Sequence, residues 1–153
     1  MKLRGALLGA GNIALRGHGP QWAGDPHLRE EVEIVAIADL SRANLEAAGA
    51  VFPDATRYAD AEELLDRETL DFTDICTPPD SHRALIENAA RRGIHVLCEK
   101  PLALSLPDAE SIAGAVRAAS IVFQPCHQYH DSPDWRGVRA LLPRIGHIHY
   151  ADY

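Results

Sequence analysis

Two neighbouring residues with clear chemical potential, Glu99 and Lys100, stand directly before Pro101. They follow an apolar segment, residues 95–98, that we interpret as a buried strand. A carboxylate and an amine at the carboxyl end of such a strand lie where open α/β sheets bind ligands. The carboxylate can accept hydrogen bonds from hydroxyl groups, and the amine can polarise a substrate oxygen or exchange a proton with it. The simpler alternative is a surface ion pair followed by a turn.

A glycine-rich turn at residues 9–14, GAGNIA, is the second segment with recognisable chemistry. It follows an apolar strand and opens a helix, which is the context of the dinucleotide-binding fingerprint. In that interpretation Gly9 permits a tight turn, and Gly11 lets the backbone approach a pyrophosphate. Asn12 and Ile13 begin the helix beside it, and an alanine in place of the third glycine still allows close packing of helix on strand. The alternative is an ordinary glycine-rich turn.

Asp39 ends the second apolar segment, where an acidic residue can accept hydrogen bonds from the hydroxyl groups of an adenine ribose. Its spacing from Gly9 exceeds the usual interval of about 20 residues, and we attribute the excess to a loop over residues 24–31. A carboxylate here favours NAD because it repels the 2′-phosphate of NADP. Ser41 and Arg42 follow and could hold that phosphate, so NADP remains the alternative cofactor. The alternative is that Ser41 only caps a helix and Arg42 is solvated.

A third segment, formed by Thr77, Pro78 and Pro79, ends a predicted strand beside the same groove. Prolines lack an N–H donor and restrict the backbone, so they can form a rigid wall against which a ring or a ribose lies. The alternative is a simple end of the strand. His82 falls in the first turn of the next helix, and both a ligand contact and a structural role are open for it.

Four histidines near the C-terminus, together with Cys126, raise the question of a zinc site. His127 and His130 are three residues apart, whereas His147 and His149 would share one face of a strand. No CxxC or HExxH pattern accompanies them. We therefore expect no metal, and we expect these side chains to line or face a further domain. Hydride transfer to a nicotinamide requires no metal ion.

Apolar segments alternate with helical ones along most of the chain, which predicts βαβ units and therefore an α/β fold with a doubly wound parallel sheet. The predicted strands cover residues 3–8, 32–38, 57–58, 72–77, 95–98 and 121–123. The predicted helices begin near residue 12 and cover residues 42–48, 61–67, 83–92, 107–119 and 133–142. Gly49 and Gly93 are predicted to end the helices that precede them.

Residues 1–123 and residues 124–153 differ in sequence pattern. Residues 1–123 are predicted to form one dinucleotide-binding Rossmann domain, and residues 124–153 a connection followed by a strand at 147–153. Because no partner follows that strand, we interpret residues 124–153 as the start of a second, α+β substrate domain whose remainder is absent. An unpaired edge strand could also join two copies of the chain, which predicts a homo-oligomer.

The overall composition limits the class of partner. The chain has 153 residues, of which 46% are hydrophobic and 24% charged, as in an ordinary globular domain. A formal net charge of -7 argues against nucleic acid or an anionic membrane as the main partner. No apolar run approaches the ~18 residues of a membrane span. Three cysteines without a close pairing are typical of the reducing cytoplasm, where we expect the protein.

Taken in order, GAGNIA, Asp39, CTPPDSH at residues 76–82 and GIHVLCEKPLA at residues 93–103 resemble the glucose–fructose oxidoreductase/inositol dehydrogenase/rhizopine-catabolism (Gfo/Idh/MocA) family. The resemblance implies an N-terminal Rossmann domain and the NAD(P)-dependent oxidation or reduction of a sugar, polyol or cyclitol. It also implies that Lys100 contacts the reacting oxygen and the nicotinamide ribose, and that Glu99 lies beside that ribose. It further implies that the other catalytic residues, an Asp and a His, belong to a C-terminal domain of which this chain carries little.

Two other functions stay open. The same family includes a repressor that binds a dinucleotide without using it for turnover, so a nucleotide sensor is the alternative to an enzyme. The intact Glu99-Lys100-Pro101 motif favours the enzyme. Self-assembly through the strand at 147–153 is the third hypothesis.

Overall fold

Six parallel strands form the centre of the protein. The computed structural model describes residues 1–144 and 146–147, and the strands within them pair in the order β3-β2-β1-β4-β5-β6. This is the strand order of a dinucleotide-binding Rossmann fold, and it confirms the predicted doubly wound sheet. The strands are β1 (Leu3–Leu8), β2 (Val32–Ala38), β3 (Thr56–Tyr58), β4 (Phe72–Ile75), β5 (His95–Cys98) and β6 (Phe123–Pro125).

Helices connect the strands and cover both faces of the sheet. The first connection is a π-helix, Ile13–His18, that continues into α1 (Gly19–Gly24) and is followed by α2 (Pro26–Glu31). The remaining elements are α3 (Arg42–Val51), α4 (Ala61–Arg67), α5 (Pro79–Arg91), α6 (Leu106–Ala119), α7 (Gln128–Asp131), α8 (Pro133–Leu141) and a 3-10 helix at Leu142–Arg144.

The central strand β1 shows how both faces of the sheet are buried. Leu7 and Leu8 are both fully buried, yet they belong to two different hydrophobic clusters. Successive side chains of a strand point to opposite faces. Leu7 therefore joins the cluster that contains Ala14 of the π-helix, and Leu8 joins the cluster that contains Ile86 of α5. The near-continuous apolar sequence of the strand follows from this double burial.

The predicted loop over residues 24–31 is wrong, because most of it forms the helix α2. Asp25 caps that helix by accepting hydrogen bonds from the backbone N–H groups of His27 and Leu28, at 2.9 and 3.0 Å. Pro26 occupies the first helical position, where its missing N–H costs no hydrogen bond. The long interval between Gly9 and Asp39 is thus filled by three short helical segments.

Several predicted boundaries are also wrong. Helix α3 continues past Gly49, its predicted end, to Val51. Helix α5 starts at Pro79 because proline suits the first turn of a helix, so it begins earlier than predicted.

The fourth strand ends at Ile75, and the last strand lies at 123–125 because Phe123 pairs with Val96 of β5. A short helix, α7, occupies part of the segment predicted to be a connection after residue 123.

The part of the chain after β6 carries little buried surface. Helices α7 and α8 contact each other through the rings of Tyr129 and Trp135, whose centroids are 5.9 Å apart, and no residue of α8 is buried. The predicted strand at 147–153 lies, beyond its first residue, outside the described residues. Among the described residues, no helix has the length and apolar character needed to cross a membrane.

The carboxyl ends of four neighbouring parallel strands, β2, β1, β4 and β5, lie at the same end of the sheet. Strand β1 pairs with both β2 and β4, so the direction of strand addition reverses between β1 and β4. Open α/β sheets bind ligands at such a reversal, outside the carboxyl ends of the strands. The segments that leave these ends begin with Gly9, Asp39, Cys76 and Glu99.

Candidate functional site

The turn after β1 requires a glycine at position 9. Gly9 has a φ of +90°, a conformation that side-chain-bearing residues rarely adopt. Its N–H donates a hydrogen bond to the carbonyl oxygen of Ala38 at 2.8 Å. A Cβ at this position would lie 2.8 Å from the carbonyl carbon of Cys76 and the amide nitrogen of Thr77. The turn is therefore pressed against the ends of β2 and β4.

Gly11 has the opposite environment. A Cβ built at Gly11 meets no atom within 4 Å, so its open side faces free space. Asn12 and Ile13, which precede and begin the π-helix, line the same space. This space suits a pyrophosphate group, because a bare backbone at the start of a helix can approach phosphate oxygens closely.

The Asp39 carboxylate ties the end of β2 to the glycine turn. It accepts hydrogen bonds from the N–H groups of Ala10 and Ser41, each at 2.7 Å, and from the side-chain amide of Asn44 at 3.2 Å. These donors hold the carboxylate in one orientation at the rim of the cleft. The arrangement leaves a fixed negative charge next to the space where the sequence predicts the adenine ribose.

The two residues considered for a 2′-phosphate have side-chain partners within helix α3. Ser41 caps α3, because its hydroxyl accepts a hydrogen bond from the N–H of Asn44 at 3.4 Å. The side chain of Arg42 is 92% exposed and pairs with Glu46 one helical turn away, at 3.0 Å. These positions agree with the capping and solvation alternatives that the sequence left open.

A cleft of about 660 Å³ brings most of the predicted cofactor residues together. Its walls come from the ends of β1, β2 and β4 and from the starts of α3, α4 and α5. The predicted residues among its lining are Gly9, Gly11, Asn12, Ile13, Asp39, Ser41, Thr77 and Pro78. The predicted residues outside this lining are Arg42, Pro79, His82, Glu99 and Lys100.

His82 is fully buried behind the wall that Thr77 and Pro78 form. Its Nε2 lies 2.8 Å from the carbonyl oxygen of Thr77, and its Nδ1 lies 3.1 Å from the carbonyl oxygen of Pro101. The imidazole thus connects the cleft wall to the segment that carries Lys100. This contact corresponds to the structural role that the sequence left open for His82.

Glu99 and Lys100 leave β5 at the same edge of the sheet but differ in exposure. Glu99 is 9% exposed, and its Oε2 accepts a hydrogen bond from the backbone N–H of Lys100 at 2.9 Å. Lys100 is exposed, and the peptide bond to Pro101 is cis. A buried carboxylate and an exposed amine therefore stand side by side at the carboxyl end of a central strand.

Sequence reasoning missed His18, at the end of the π-helix, which lies between two carboxylates. Its Nδ1 is 2.8 Å from Oδ2 of Asp74, and its Nε2 is 3.1 Å from Oε1 of Glu99. Asp74 is fully buried in β4 and also accepts a hydrogen bond from the indole N–H of Trp22 at 2.7 Å. A signal was present, because Asp74 is an acid in the middle of an otherwise uncharged central strand.

This environment determines the charge of His18. The hydrogen bond with Asp74 raises the pKa of His18 far above its ordinary value, and contacts with the thiols of Cys126 and Cys76 raise it further. His18 is therefore an imidazolium at neutral pH, with both ring N–H groups donating to carboxylates. Burial raises the pKa of the Cys76 and Cys98 thiols to about 12, so both thiols stay protonated.

Two groups of three side chains lie close enough together to ligate a metal ion, and both contain His18. One is His18, Asp74 and Cys76, and the other is His18, Glu99 and Cys126. Among the residues that the structure describes, His127, His130 and His147 belong to neither group. His149 lies outside the described residues.

The strand order and the glycine turn against Asp39 define a nucleotide-binding Rossmann fold. The family model of the Gfo/Idh/MocA oxidoreductases, described as having an NAD-binding Rossmann fold, matches residues 3–127. The chain belongs to this family, which confirms the resemblance inferred from the sequence motifs.

Several known proteins are similar to the chain. D-Apiose dehydrogenase of Paraburkholderia graminis is 39% identical over 141 residues, which is 92% of this chain and 36% of that protein. Inositol 2-dehydrogenase of Rhizobium meliloti is 37% identical over 78% of this chain and 33% of that protein. An oxidoreductase from Agrobacterium radiobacter, solved in complex with NAD+, L-tartaric acid and magnesium, is 32% identical with a TM-score of 0.80, over 94% of this chain and 41% of that chain. The chain thus spans between about a third and two fifths of the length of these relatives.

Proposed function

We propose that this chain is the cofactor-binding part of an NAD(P)-dependent oxidoreductase that acts on a sugar, a polyol or a cyclitol. The family model that matches the chain is described as an oxidoreductase family with an NAD-binding Rossmann fold. The names of its relatives, D-apiose dehydrogenase and inositol 2-dehydrogenase, support a polyhydroxylated substrate.

The proposal rests on the positions of two groups of residues at the carboxyl ends of the strands. Asp39 and the glycine turn lie at one end, after β1 and β2. Glu99 and Lys100 lie at the other end, after β5. An extended dinucleotide laid across the topological reversal has its adenosine at the first end and its nicotinamide at the second.

Each group has a distinct part in the proposed reaction. The carboxylate of Asp39 accepts the adenine-ribose hydroxyls, and the open backbone at Gly11 receives the pyrophosphate. When bound, the nicotinamide ring accepts or releases a hydride. Glu99 binds the nicotinamide ribose, and Lys100 contacts the reacting oxygen of the substrate and exchanges its proton.

The preference for NAD over NADP is part of the proposal. The Asp39 carboxylate lies beside the predicted ribose position and would repel a 2′-phosphate. The guanidinium of Arg42 pairs with Glu46 and does not belong to the cleft lining, which supports the same preference. For Arg42 to hold a 2′-phosphate, its guanidinium would have to leave Glu46.

The finer features inferred from the sequence belong to this proposal. They are a second domain begun after the sheet, a cytoplasmic location and a pairing of copies through residues 147–153. The sequence places the start of the second domain at residues 123/124, but β6 belongs to the sheet as far as Pro125, so we propose the division after that residue. The net charge of -7 supports a small-molecule partner over a nucleic acid.

Calorimetric titration of the chain with NAD+, NADH, NADP+ and NADPH tests the cofactor assignment. We expect tighter binding of the two NAD forms, and loss of all binding in a Gly11→Val variant, whose side chain fills the open space. A folded wild-type chain that binds none of the four at millimolar concentration would refute the proposal.

A second experiment tests the assignment of Lys100. The chain loaded with NAD+ is mixed with D-apiose or myo-inositol, and the fluorescence of NADH is followed. Where NADH forms, the proposal expects its formation to be lost in a Lys100→Ala variant that still binds NAD+. Equal NADH formation by both proteins would contradict the role of Lys100. Binding without turnover in either is also the result expected of a chain that spans about a third of its relatives' length, so it does not by itself favour the sensor alternative.

A further inference from the structure

The group around His18 has no role in the proposed binding of adenosine and pyrophosphate. Its three charged members come from distant parts of the chain: the π-helix, the middle of β4 and the end of β5. The side chains of His18 and Asp74 are only 17% and 0% exposed, although both carry charge. Buried charge of this kind is costly unless each member is paired.

We propose that His18 is a positioning residue for Glu99, holding this carboxylate in the orientation that receives the nicotinamide ribose. The inference rests on the proposed function and deepens it, because it assigns the support of the nicotinamide end of the site. His18 itself touches neither cofactor nor substrate in this proposal; it acts through Glu99.

The two carboxylate oxygens of Glu99 have different partners. Oε1 lies 3.1 Å from Nε2 of His18, and Oε2 accepts the backbone N–H of Lys100 at 2.9 Å. The first contact is with the imidazole, and the second attaches the carboxylate to the residue that contacts substrate in the proposed function. Among the described residues, the Lys100 N–H is the hydrogen-bond partner left to this carboxylate when His18 is removed, so the carboxylate can rotate about that contact.

The imidazole of His18 is itself held in place by a second carboxylate. Its other nitrogen lies 2.8 Å from Asp74, whose carboxylate is oriented by the indole N–H of Trp22 at 2.7 Å. An imidazolium has two N–H groups at a fixed angle, so fixing one of them to Asp74 directs the other. The direction that results is toward Glu99.

The pairing of Glu99 with His18 also affects Lys100. Among the residues that the structure describes, no carboxylate lies within ion-pair distance of the Lys100 side chain, although Glu99 is its neighbour in sequence. The charge of Glu99 is directed to His18 instead. Pairing with His18 therefore leaves the Lys100 amine exposed for a substrate oxygen.

The test compares the binding of NAD+ with that of AMP, which contains the adenosine half of NAD+ but lacks the second ribose and the nicotinamide. AMP therefore probes the adenosine end alone. ADP-ribose is less suitable, because it lacks the nicotinamide but still contains both riboses. Calorimetric titrations of wild-type and His18→Gln chains with NAD+ and AMP are compared after treatment with EDTA. We expect NAD+ affinity to fall about tenfold, as for loss of a hydrogen bond between charged groups, and AMP affinity to stay unchanged.

Two further variants define the route of the effect. Asp74→Asn, which is nearly isosteric, should lower NAD+ affinity selectively as His18→Gln does, and it replaces that variant if His18→Gln does not fold. Glu99→Gln should abolish the effect of His18→Gln in the double variant, because His18 acts through Glu99. His27→Gln, an exposed histidine of α2, serves as the matched control and should change neither affinity.

The outcomes separate the inference from the proposed function. Equal losses of NAD+ and AMP affinity, or no loss in either, overturn the role of His18. Unfolding of both His18→Gln and Asp74→Asn also overturns it, because the network would then serve stability. NAD+ affinity that appears only after Zn²⁺ is added overturns it too, since a metal ion would replace the imidazolium. Failure of the wild-type chain to bind either ligand refutes the proposed function instead.

Discussion

The two ends of the proposed cofactor site are built in different ways. At the adenosine end, Gly9 and Asp39 are oriented by backbone N–H and C=O groups of neighbouring turns. At the nicotinamide end, Glu99 is oriented by His18, which depends on Asp74, and all three are titratable side chains. One end is thus assembled from the backbone, and the other from buried charge.

This difference predicts which perturbations each end tolerates. The backbone contacts of the glycine turn depend on conformation and are almost independent of pH, so this turn should respond to changes of shape, whereas Asp39 beside it should respond to loss of its charge. Buried ion pairs depend on protonation and on having every partner present, so the nicotinamide end should respond to pH and to removal of a single charge.

The largest effect is expected for Gly9→Ala. The new methyl group combines a positive φ with contacts of 2.8 Å to the backbone of Cys76 and Thr77. We expect the free energy of unfolding to fall by about 2–4 kcal/mol, measured by urea denaturation. Gly11→Ala is the matched control and should leave stability nearly unchanged, because its methyl group meets open space. Equal losses in the two variants would show that the turn is not pressed against β4.

A smaller effect is expected for Asp39→Asn. The amide nitrogen that replaces one carboxylate oxygen cannot accept the N–H group of Ala10 or Ser41. We expect NAD+ affinity to fall about tenfold in calorimetric titration, which corresponds to about 1.4 kcal/mol. NADP+ affinity should fall less, because the negative charge that repels its 2′-phosphate is gone. A larger loss for NADP+ than for NAD+ would contradict the assignment of Asp39.

At the nicotinamide end, the stability that His18 contributes should depend on pH. Its pKa is raised in the folded protein, so this stabilisation is complete below the unfolded pKa of 6.5 and declines as pH rises above it. The difference in unfolding free energy between wild type and His18→Gln should therefore shrink from about pH 6 to pH 9, by at most about 1.4 kcal/mol per pH unit. In an Asp74→Asn background the decline should be much weaker. A difference that grows with pH would contradict an imidazolium at this position.

The smallest effect is expected for Arg42→Ala, at the adenosine end. Arg42 is 92% exposed, and its ion pair with Glu46 is a surface pair within one helix. Such pairs contribute little, so NAD+ affinity should stay within about twofold of the wild-type value in calorimetric titration. A strong and selective loss of NADP+ affinity would show instead that Arg42 leaves Glu46 to hold a 2′-phosphate.

The extent to which sequence predicted each end follows from the same comparison. The glycine turn, the acid after β2 and the proline wall are local motifs, so their residue types and order identified eight residues that line the cleft. The same local signals were weaker for helix ends: Gly49 stayed inside α3, and Asp25 started a helix where a loop was predicted. The conformational preference of a single residue is outweighed by capping hydrogen bonds that form nearby.

Apolar periodicity and short motifs are local properties, so the residues alone predicted the parallel sheet, the family and the position of Glu99 and Lys100 after β5. The folded chain was needed to show that His18 lies between Asp74 and Glu99, which are 56 and 81 residues away along the chain. It also showed that His82 connects the cleft wall to Pro101. These contacts could not be predicted because the partners of a buried polar group are selected by which strands become neighbours in the sheet, and strand order is not a local property of the sequence.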